Sequence, residues 1–168
     1  ADLLEMCYVL GSQMVVLAKK APDLDQARKL LEEALESGKA LEKFREMIRN
    51  QGGDDTVVDH PQSLLTAKYE QPFLAKKSGY VTKLVANELG IAAMLLGAGR
   101  RTKEEEIDYA VGLKLHKKVG DKVTEGEPLL TIYSNDLELN EVESILEKNI
   151  EIGEVAVELP LIHEIITE

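Results

Sequence analysis

The 168-residue sequence lacks tryptophan and contains one cysteine, two phenylalanines and five tyrosines. A single cysteine cannot form a disulfide within the chain, so we expect a protein of a reducing compartment, the cytoplasm. No apolar run approaches the roughly 20 residues that a membrane-spanning helix needs. The 20 Lys and Arg side chains are outnumbered by 31 Asp and Glu, which gives a formal charge of −11. Nucleic acids and anionic membranes bind clustered Lys and Arg, so this balance argues against both partners.

The first part of the chain has the periodicity of helices. Apolar residues occupy most positions from Asp2 to Lys20, which predicts a helix that needs cover on several sides, one layer of a larger domain whose remainder is missing. Cys7 within it is expected to be a buried, inert thiol. The chain enters this helix almost at once and without an initiator methionine, so we expect a segment of a longer protein. Two amphipathic helices follow. An aspartate of Pro22-Asp23-Leu24-Asp25 can cap the first of them, and Gly38 closes it.

After the His60-Pro61 turn, the sequence pattern predicts mainly strands. We therefore predict two domains, residues 1–66 and 67–168, and an α+β fold in which a helical segment precedes an α/β domain. In the second domain we predict a helix capped by Asn87 and another that starts at Asn135. The predicted strands are Tyr69–Ala75, Ser78–Ala86, Tyr109–His116, Leu129–Tyr133, Val155–Val157 and Leu161–Ile166.

One loop combines glycine and arginine, Gly97-Ala98-Gly99-Arg100-Arg101. Glycines let backbone amides approach an anion, and arginines can fork onto phosphate or a carbonyl. Residue 102 is threonine, so the dinucleotide-binding fingerprint fails, and the following acids, Glu104 to Glu106, compete for the arginines. A solvated surface loop and an active-site lid both remain open.

Other chemistry-bearing residues are scattered. His60, His116 and His163 lie far apart, and nothing matches the ligand spacing of a metal site. Cys7 has no His or Lys within a helical turn on its N-terminal side to activate it. We assign no catalytic residue and no metal ligand to this chain.

The run from His116 to Ile132 contains a Val-Gly-Asp-x-Val turn followed by Glu-Gly-x-Pro-Leu. It resembles the half-barrel of biotinyl and lipoyl carrier domains. Those carriers need a lysine exposed at a hairpin tip, and no Met-Lys-Met occurs here. The resemblance implies their architecture without their chemistry.

Seven strings occur along the chain in a distinctive order: Asp2-Leu3-Leu4-Glu5-Met6-Cys7, Leu10-Gly11-Ser12-Gln13-Met14-Val15, Phe44 to Asp54, Lys77-Ser78-Gly79-Tyr80-Val81, Leu96-Gly97-Ala98-Gly99-Arg100, Ala110-Val111-Gly112 and Val119-Gly120-Asp121-Lys122-Val123. In this order they resemble bacterial pyrimidine-nucleoside phosphorylases and the related thymidine phosphorylases. The resemblance covers essentially the whole chain and implies the C-terminal two-fifths of such an enzyme. Residues 1–66 would complete its large α/β domain, and residues 67–168 would form its C-terminal α/β "hammerhead" or barrel-sandwich-hybrid domain.

The resemblance implies phosphorolysis of uridine or thymidine to a free base and a pentose 1-phosphate. Inorganic phosphate is then a co-substrate, the parent is a homodimer, and the phosphate site, the base-binding set and a monovalent-cation (potassium) site lie upstream of this chain. The segment alone would be inactive. We expect Gly99, Arg100 and Arg101 to form an active-site lid.

Two other classes of function stay open, a carrier-like module that displays a prosthetic group and a stand-alone interaction domain. Purine specificity or phosphoribosyl transfer is a variant of the enzyme hypothesis. The sequence does not separate uridine from thymidine as substrate.

Overall fold

The structure, a computed structural model, describes residues 2–166 and contains two compact units. The helical unit holds residues 2–63 with 161–166, and the β-rich unit spans Leu64–Pro160. Together they confirm the predicted α+β class. The division into domains 1–66 and 67–168 of a longer enzyme stays a prediction. Among residues 2–166, no helix has both the length and the apolar character needed to cross a membrane.

Three helices form the helical unit: α1 (Asp2–Leu17), α2 (Leu24–Glu36) and α3 (Lys39–Asn50). The predicted helix signals are confirmed at α2. The Asp23 carboxylate accepts a hydrogen bond from the Gln26 amide at 2.8 Å, and Gly38, at a φ of +78°, separates α2 from α3. A left-handed residue at this position favours glycine because a Cβ would be strained there. Two short 3₁₀ turns, Asp55–Val58 and Pro61–Ser63, complete the unit.

An arginine clasp joins α1 to α2. Arg28 donates two hydrogen bonds to the Glu5 carboxylate, at 2.8 and 2.7 Å, and a third to Glu32 at 2.8 Å. The Arg28 guanidinium also lies 4.8 Å from the centre of the Tyr8 ring. The hydrogen bonds from Arg28 hold the pKa of Glu5 below its usual value. Ala27 is fully buried, so α2 also contributes a close apolar contact to the unit.

The sequence predicts that α1 needs cover from a larger domain, and within the described residues most of this helix is exposed. Only Ser12 is buried on this helix, while Leu3, Met14 and Leu17 are 75%, 69% and 80% exposed. Cys7, predicted to be a buried thiol, is also exposed. Within the described residues, α1 packs against α2 and shares a groove with the apolar side chains of residues 161–166, which leaves the rest of its surface open to solvent.

Two three-stranded antiparallel sheets build the β-rich unit. One sheet has the order β1 (Tyr69–Leu74), β5 (Pro128–Ser134) and β3 (Gly112–Leu115), and the other has the order β4 (Lys122–Val123), β2 (Gly79–Leu84) and β6 (Ile150–Gly153). In the first sheet, Gln71 and Leu113 both lie opposite Ile132 of the central strand. Two helices, α4 (Ala86–Ala93) and α5 (Asn140–Asn149), pack against each other.

One apolar core fills this unit. Its largest fully buried side chains are Leu130, Ile132, Leu146, Val81 and Val123, drawn from both sheets and from α5. Burial of each such side chain contributes about 1.5–3 kcal/mol relative to exposure. The core therefore fixes the end of β5 and the start of α5. The connection between these two elements carries several of the polar residues described in the next subsection.

Four sequence predictions fail, three of them in this unit and one, the strand at 161–166, in the helical unit. No strand forms at 155–157 or 161–166; instead Ile150 and Ile152 extend the chain directly from α5 into β6, which pairs with β2. The last helix begins at Asn140 rather than Asn135, because the Asn135 side chain is held by hydrogen bonds elsewhere. The predicted cap Asn87 lies inside α4, and its side chain instead donates to Glu88.

Candidate functional site

The predicted glycine and arginine loop is closed at its base by its own backbone. After α4, a π-helical turn covers Met94–Ala98, and Gly97 inside it has a φ of +107°. The Asp108 amide donates to the Gly97 carbonyl at 2.9 Å. Residues 98–107, which we name the arginine loop, therefore leave and rejoin the fold at one place. This geometry is typical of a compact surface loop whose ends are joined.

Two polar side chains hold the base of the arginine loop. One oxygen of the Asp108 carboxylate accepts from the Ala110 amide at 2.9 Å, and the other accepts from Asn135 Nδ2 at 2.7 Å. Asn135 Oδ1 in turn accepts from the Lys68 amide at 2.9 Å. We name this pair, Asp108 with Asn135, the clamp. It ties the loop to the end of β5 and to the residue that precedes β1.

Inside the arginine loop, Arg101 and Glu105 make a second set of contacts. The Arg101 amide donates to one Glu105 oxygen at 2.8 Å, and Arg101 Nε donates to the other at 3.1 Å. The backbone hydrogen bond from Arg101, aided by the charge of its guanidinium, holds the pKa of Glu105 below its usual value. Of the three acids expected to compete for the arginines, Glu105 is the one that binds Arg101.

The two arginines therefore differ. Arg100 is exposed, and within residues 2–166 its guanidinium has no hydrogen bond or ion pair. The predicted lid residues lie in one loop, but the structure does not place Arg100 and Arg101 on a common partner. Gly99 is extended, with a φ of −146°, so the unusual backbone conformation falls on Gly97 instead. Arg100 is thus the arginine that remains available to a ligand.

A small cleft of about 210 Å³ lies beside the arginine loop. Arg101 lines it together with polar and acidic residues from the end of β5 and the start of α5, and Leu95 and Leu96 supply its apolar part. The other lining residues are Ser134, Asn135, Asp136, Glu138, Leu139, Glu141 and Val142. The clamp residue Asn135 thus contributes both to the base of the loop and to this cleft.

Neither histidine nor cysteine builds a competing site. Within the described part of the chain, no group of three or more His, Cys, Asp and Glu side chains is placed to hold a metal ion. His60 Nδ1 lies 3.5 Å from Gln62 Nε2, and His116 Nε2 lies 2.8 Å from Thr131 Oγ1. The first contact is local and the second is cross-strand.

The turn that resembles carrier domains forms as predicted. Gly120, at a φ of +95°, donates its amide to the Val81 carbonyl at 2.8 Å, and Asp121 accepts from the Lys118 amide at 2.7 Å. Strand β5 then ends in Ser134 and continues into Asn135 and Asp136 rather than into a lysine flanked by methionines. The turn and the strand that follows it are present, and the strand does not lead into the attachment motif of a carrier.

The sequence reasoning missed Asp108 and Asn135. An Asp two residues before a hydrogen-bonded amide is a common turn pattern, so Asp108 had a recognisable local signal. Asn135 had none, because its partners, Lys68 and Asp108, lie 67 and 27 positions away along the chain. Its position after a strand was interpreted as the beginning of a helix.

Comparison with known proteins gives a consistent result over this chain. Residues 80–153 match the family model described as the pyrimidine nucleoside phosphorylase C-terminal domain. The proteins named pyrimidine-nucleoside phosphorylase from Staphylococcus aureus strains RF122, USA300 and NCTC 8325 are each 58% identical over 167 residues. That alignment covers 99% of this chain and 39% of each relative. The chain therefore spans about two-fifths of the length of these relatives.

Proposed function

We propose that this chain, which belongs to the pyrimidine-nucleoside phosphorylase family, is the C-terminal part of an enzyme that performs reversible phosphorolysis of uridine or thymidine. In that reaction an oxygen of inorganic phosphate bonds to the sugar C1′ as the bond from C1′ to the base nitrogen breaks. The base leaves with the electron pair and takes up a proton, and the sugar becomes a pentose 1-phosphate. The observation that carries the proposal is 58% identity over 99% of the chain.

Phosphorolysis needs a cradle for phosphate, a clamp on the pyrimidine carbonyls and groups that stabilise charge as the base departs. None of residues 1–168 carries an assigned catalytic role. We place the phosphate site, the base-binding set and a monovalent-cation (potassium) site in the part of the relatives that this chain does not span. We accordingly expect the chain alone to be inactive, and the complete enzyme to be a cytoplasmic homodimer with no nucleic-acid or membrane partner.

For the helical unit we propose a scaffolding role. An exposed apolar helix such as α1 is costly in water, and large apolar patches mark contact surfaces. Leu3, Met14 and Leu17 are each more than two-thirds exposed here. In the complete enzyme we expect this face to pack against the large α/β domain.

For the arginine loop we propose the role of a lid over bound substrate. The support is Arg100, whose guanidinium has no partner among residues 2–166, on a loop closed at its base in a chain of net charge −11. A charge-assisted hydrogen bond contributes about 1.5–3 kcal/mol, so its loss lowers kcat/KM by about 10- to 100-fold. Gly99 would let the chain approach substrate closely at the start of the loop.

The test is steady-state phosphorolysis by the full-length enzyme that contains this chain. Arg100→Ala should lower kcat/KM by about 10- to 100-fold, because it removes one charge-assisted hydrogen bond to substrate. Arg101→Ala should also lower kcat/KM, because it removes the contact with Glu105. Asn87→Asp, on the exposed surface of α4, is the control and should leave kinetics unchanged. Kinetics that are unchanged in an Arg100→Ala, Arg101→Ala double variant would remove the lid from the proposal.

The second candidate function is a carrier-like module, favoured by the Val-Gly-Asp turn and its strand β5. Such a module displays a prosthetic group on lysine, so its mature mass exceeds the mass of its sequence. Intact-mass spectrometry of the chain from its native cells distinguishes the two. A mass equal to that of the polypeptide supports the enzyme, whereas a biotinyl or lipoyl adduct supports the carrier.

A further inference from the structure

The clamp and the contact between Arg101 and Glu105 indicate that the arginine loop is preformed rather than loosely hinged. Its neck is closed by the hydrogen bond from the Asp108 amide to the Gly97 carbonyl, and the Asp108 side chain is itself held from two directions. Hydrogen bonds at both ends of a short loop restrict the positions that its interior can adopt. The loop therefore holds its shape before any ligand arrives.

Each polar group of the clamp has a defined partner. Asn135 Oδ1 must accept from the Lys68 amide, which leaves Asn135 Nδ2 as the donor toward Asp108. The Asp108 carboxylate uses one oxygen for Asn135 and the other for the Ala110 amide. Both side chains are half-buried, so a mismatch between donors and acceptors is not readily repaired by water.

The two arginines of the arginine loop differ in their contacts. Arg101 bonds to Glu105 and shapes the loop from inside, whereas Arg100 keeps an exposed guanidinium without a partner in residues 2–166. A planar guanidinium binds anions and carbonyls with a fixed geometry, so its usefulness depends on how well its backbone is positioned. The clamp supplies that position from outside the loop.

We infer that Asp108 and Asn135 are positioning residues for phosphorolysis and that they act through Arg100. This inference rests on the proposed function. They touch neither substrate nor the reacting atoms; they fix the neck of the arginine loop so that Arg100 reaches the substrate in one conformation. Preorganisation of this kind raises kcat/KM by reducing the ordering that must accompany the transition state.

The test exchanges the two clamp residues in the full-length enzyme that contains this chain. Asp108→Asn places an amide group against the Asn135 amide, and Asn135→Asp places two carboxylates together. Each single variant should lower kcat/KM at least tenfold. The double variant carries the pair in reverse order and restores a donor facing an acceptor, so its kcat/KM should return to within threefold of the wild type. Asn87→Asp is the matched control and should have wild-type kinetics.

A second arm separates positioning from general stability. In an Arg100→Ala background, Asp108→Asn should cause less than a twofold further loss of kcat/KM, because the clamp acts through Arg100. Hydrogen exchange on the 168-residue chain should be faster at residues 98–107 in either single variant, with the core strands unchanged and the double variant restored.

The outcomes distinguish the two proposals. A wild-type full-length enzyme that does not cleave uridine or thymidine in phosphate buffer refutes the proposed function. An active wild type whose single clamp variants keep full kcat/KM refutes the positioning inference alone. Full additivity of Asp108→Asn with Arg100→Ala, or a double clamp variant as poor as the singles, also refutes it.

Discussion

Replacement of Gly79 by alanine tests how the two strands β2 and β6 approach each other. Gly79 pairs with β4 at Val123, and its φ is +156°. A Cβ built there would lie 2.4 Å from the carbonyl oxygen of Gly153 and 2.9 Å from the Ile152 Cγ2 atom. The first of these atoms belongs to the backbone of β6, so it cannot move away without opening the pair between β2 and β6.

The expected cost follows from two contributions. Forcing an extra carbon into a packed site costs about 1–3 kcal/mol, and a strained backbone conformation adds about 1–3 kcal/mol. We therefore expect Gly79→Ala to lower the free energy of unfolding by about 4 kcal/mol. Two other glycine-to-alanine substitutions serve as matched controls. Gly126 has a φ of +80° and no atom within 4 Å of the added carbon, so Gly126→Ala should cost about 1–2 kcal/mol from strain alone.

At Gly90, the same substitution should change the free energy of unfolding in the opposite direction. Gly90 lies inside α4 with no atom within 4 Å of an added Cβ, and its φ lies outside the left-handed range. Alanine is a better helix former than glycine, so Gly90→Ala should raise the free energy of unfolding by about 0.5–1 kcal/mol. Replacement of glycine by alanine is therefore expected to destabilise the β-rich unit strongly at position 79 and weakly at position 126, and to stabilise it at position 90.

Urea unfolding followed by tyrosine fluorescence measures the series. Four of the five tyrosines lie in the β-rich unit, so the signal reports mainly on the unit that is changed. With a denaturant slope of about 2 kcal/mol per molar, the midpoint of Gly79→Ala should fall by about 2 M. Equal losses for Gly79→Ala and Gly126→Ala would refute the steric reasoning, as would a lower midpoint for Gly90→Ala.

Three further predictions concern a core residue, a titration and an exposed thiol. Leu146→Ala should lower the free energy of unfolding by about 2–5 kcal/mol in the same assay, because this side chain is fully buried; a loss under 1 kcal/mol would contradict its place in the core. The pKa of Glu105 in the folded chain is lower than the usual carboxyl pKa of about 4.3. The contact of Glu105 with Arg101 is therefore complete above about pH 4.3, and it is lost as the pH falls through the lowered pKa of the folded chain. The Arg101 amide resonance should therefore titrate with a midpoint below about 4.3, and a midpoint at or above it would contradict the contact. Cys7 should react with a maleimide in the undenatured chain and be protected in the full-length enzyme; equal labelling of both would contradict the packing of α1 on the larger domain.

Local chemistry explains why several elements could be predicted from the sequence. The cap at Asp23 and the left-handed glycine at 38 depend on contacts within four residues, and the structure contains both. Strand β5 was predictable because its apolar side chains Leu129, Leu130 and Ile132 supply the core. The residues that produce these features lie close together along the chain, so the sequence alone predicts them.

Long-range contacts explain most of the remainder. The last helix begins five residues later than predicted because Asn135 is bound to Lys68 and Asp108, neither of which is near it in sequence. Within the candidate site, Arg101 and Glu105 are four residues apart and form an ion pair in a loop, whereas the partners of the clamp are distant along the chain. For α1, the apolar pattern predicts only that the helix needs a partner, and within the described residues most of the helix is exposed.

The central proposal is that this chain completes a pyrimidine-nucleoside phosphorylase whose reacting groups lie outside it. The most direct measurement compares phosphorolysis of uridine and thymidine by the purified 168-residue chain and by the full-length enzyme, both in phosphate buffer and at equal molar concentration. The account predicts release of free base and pentose 1-phosphate by the full-length enzyme and no turnover by the chain alone. Turnover by the chain alone at a rate comparable with that of the full-length enzyme would contradict it.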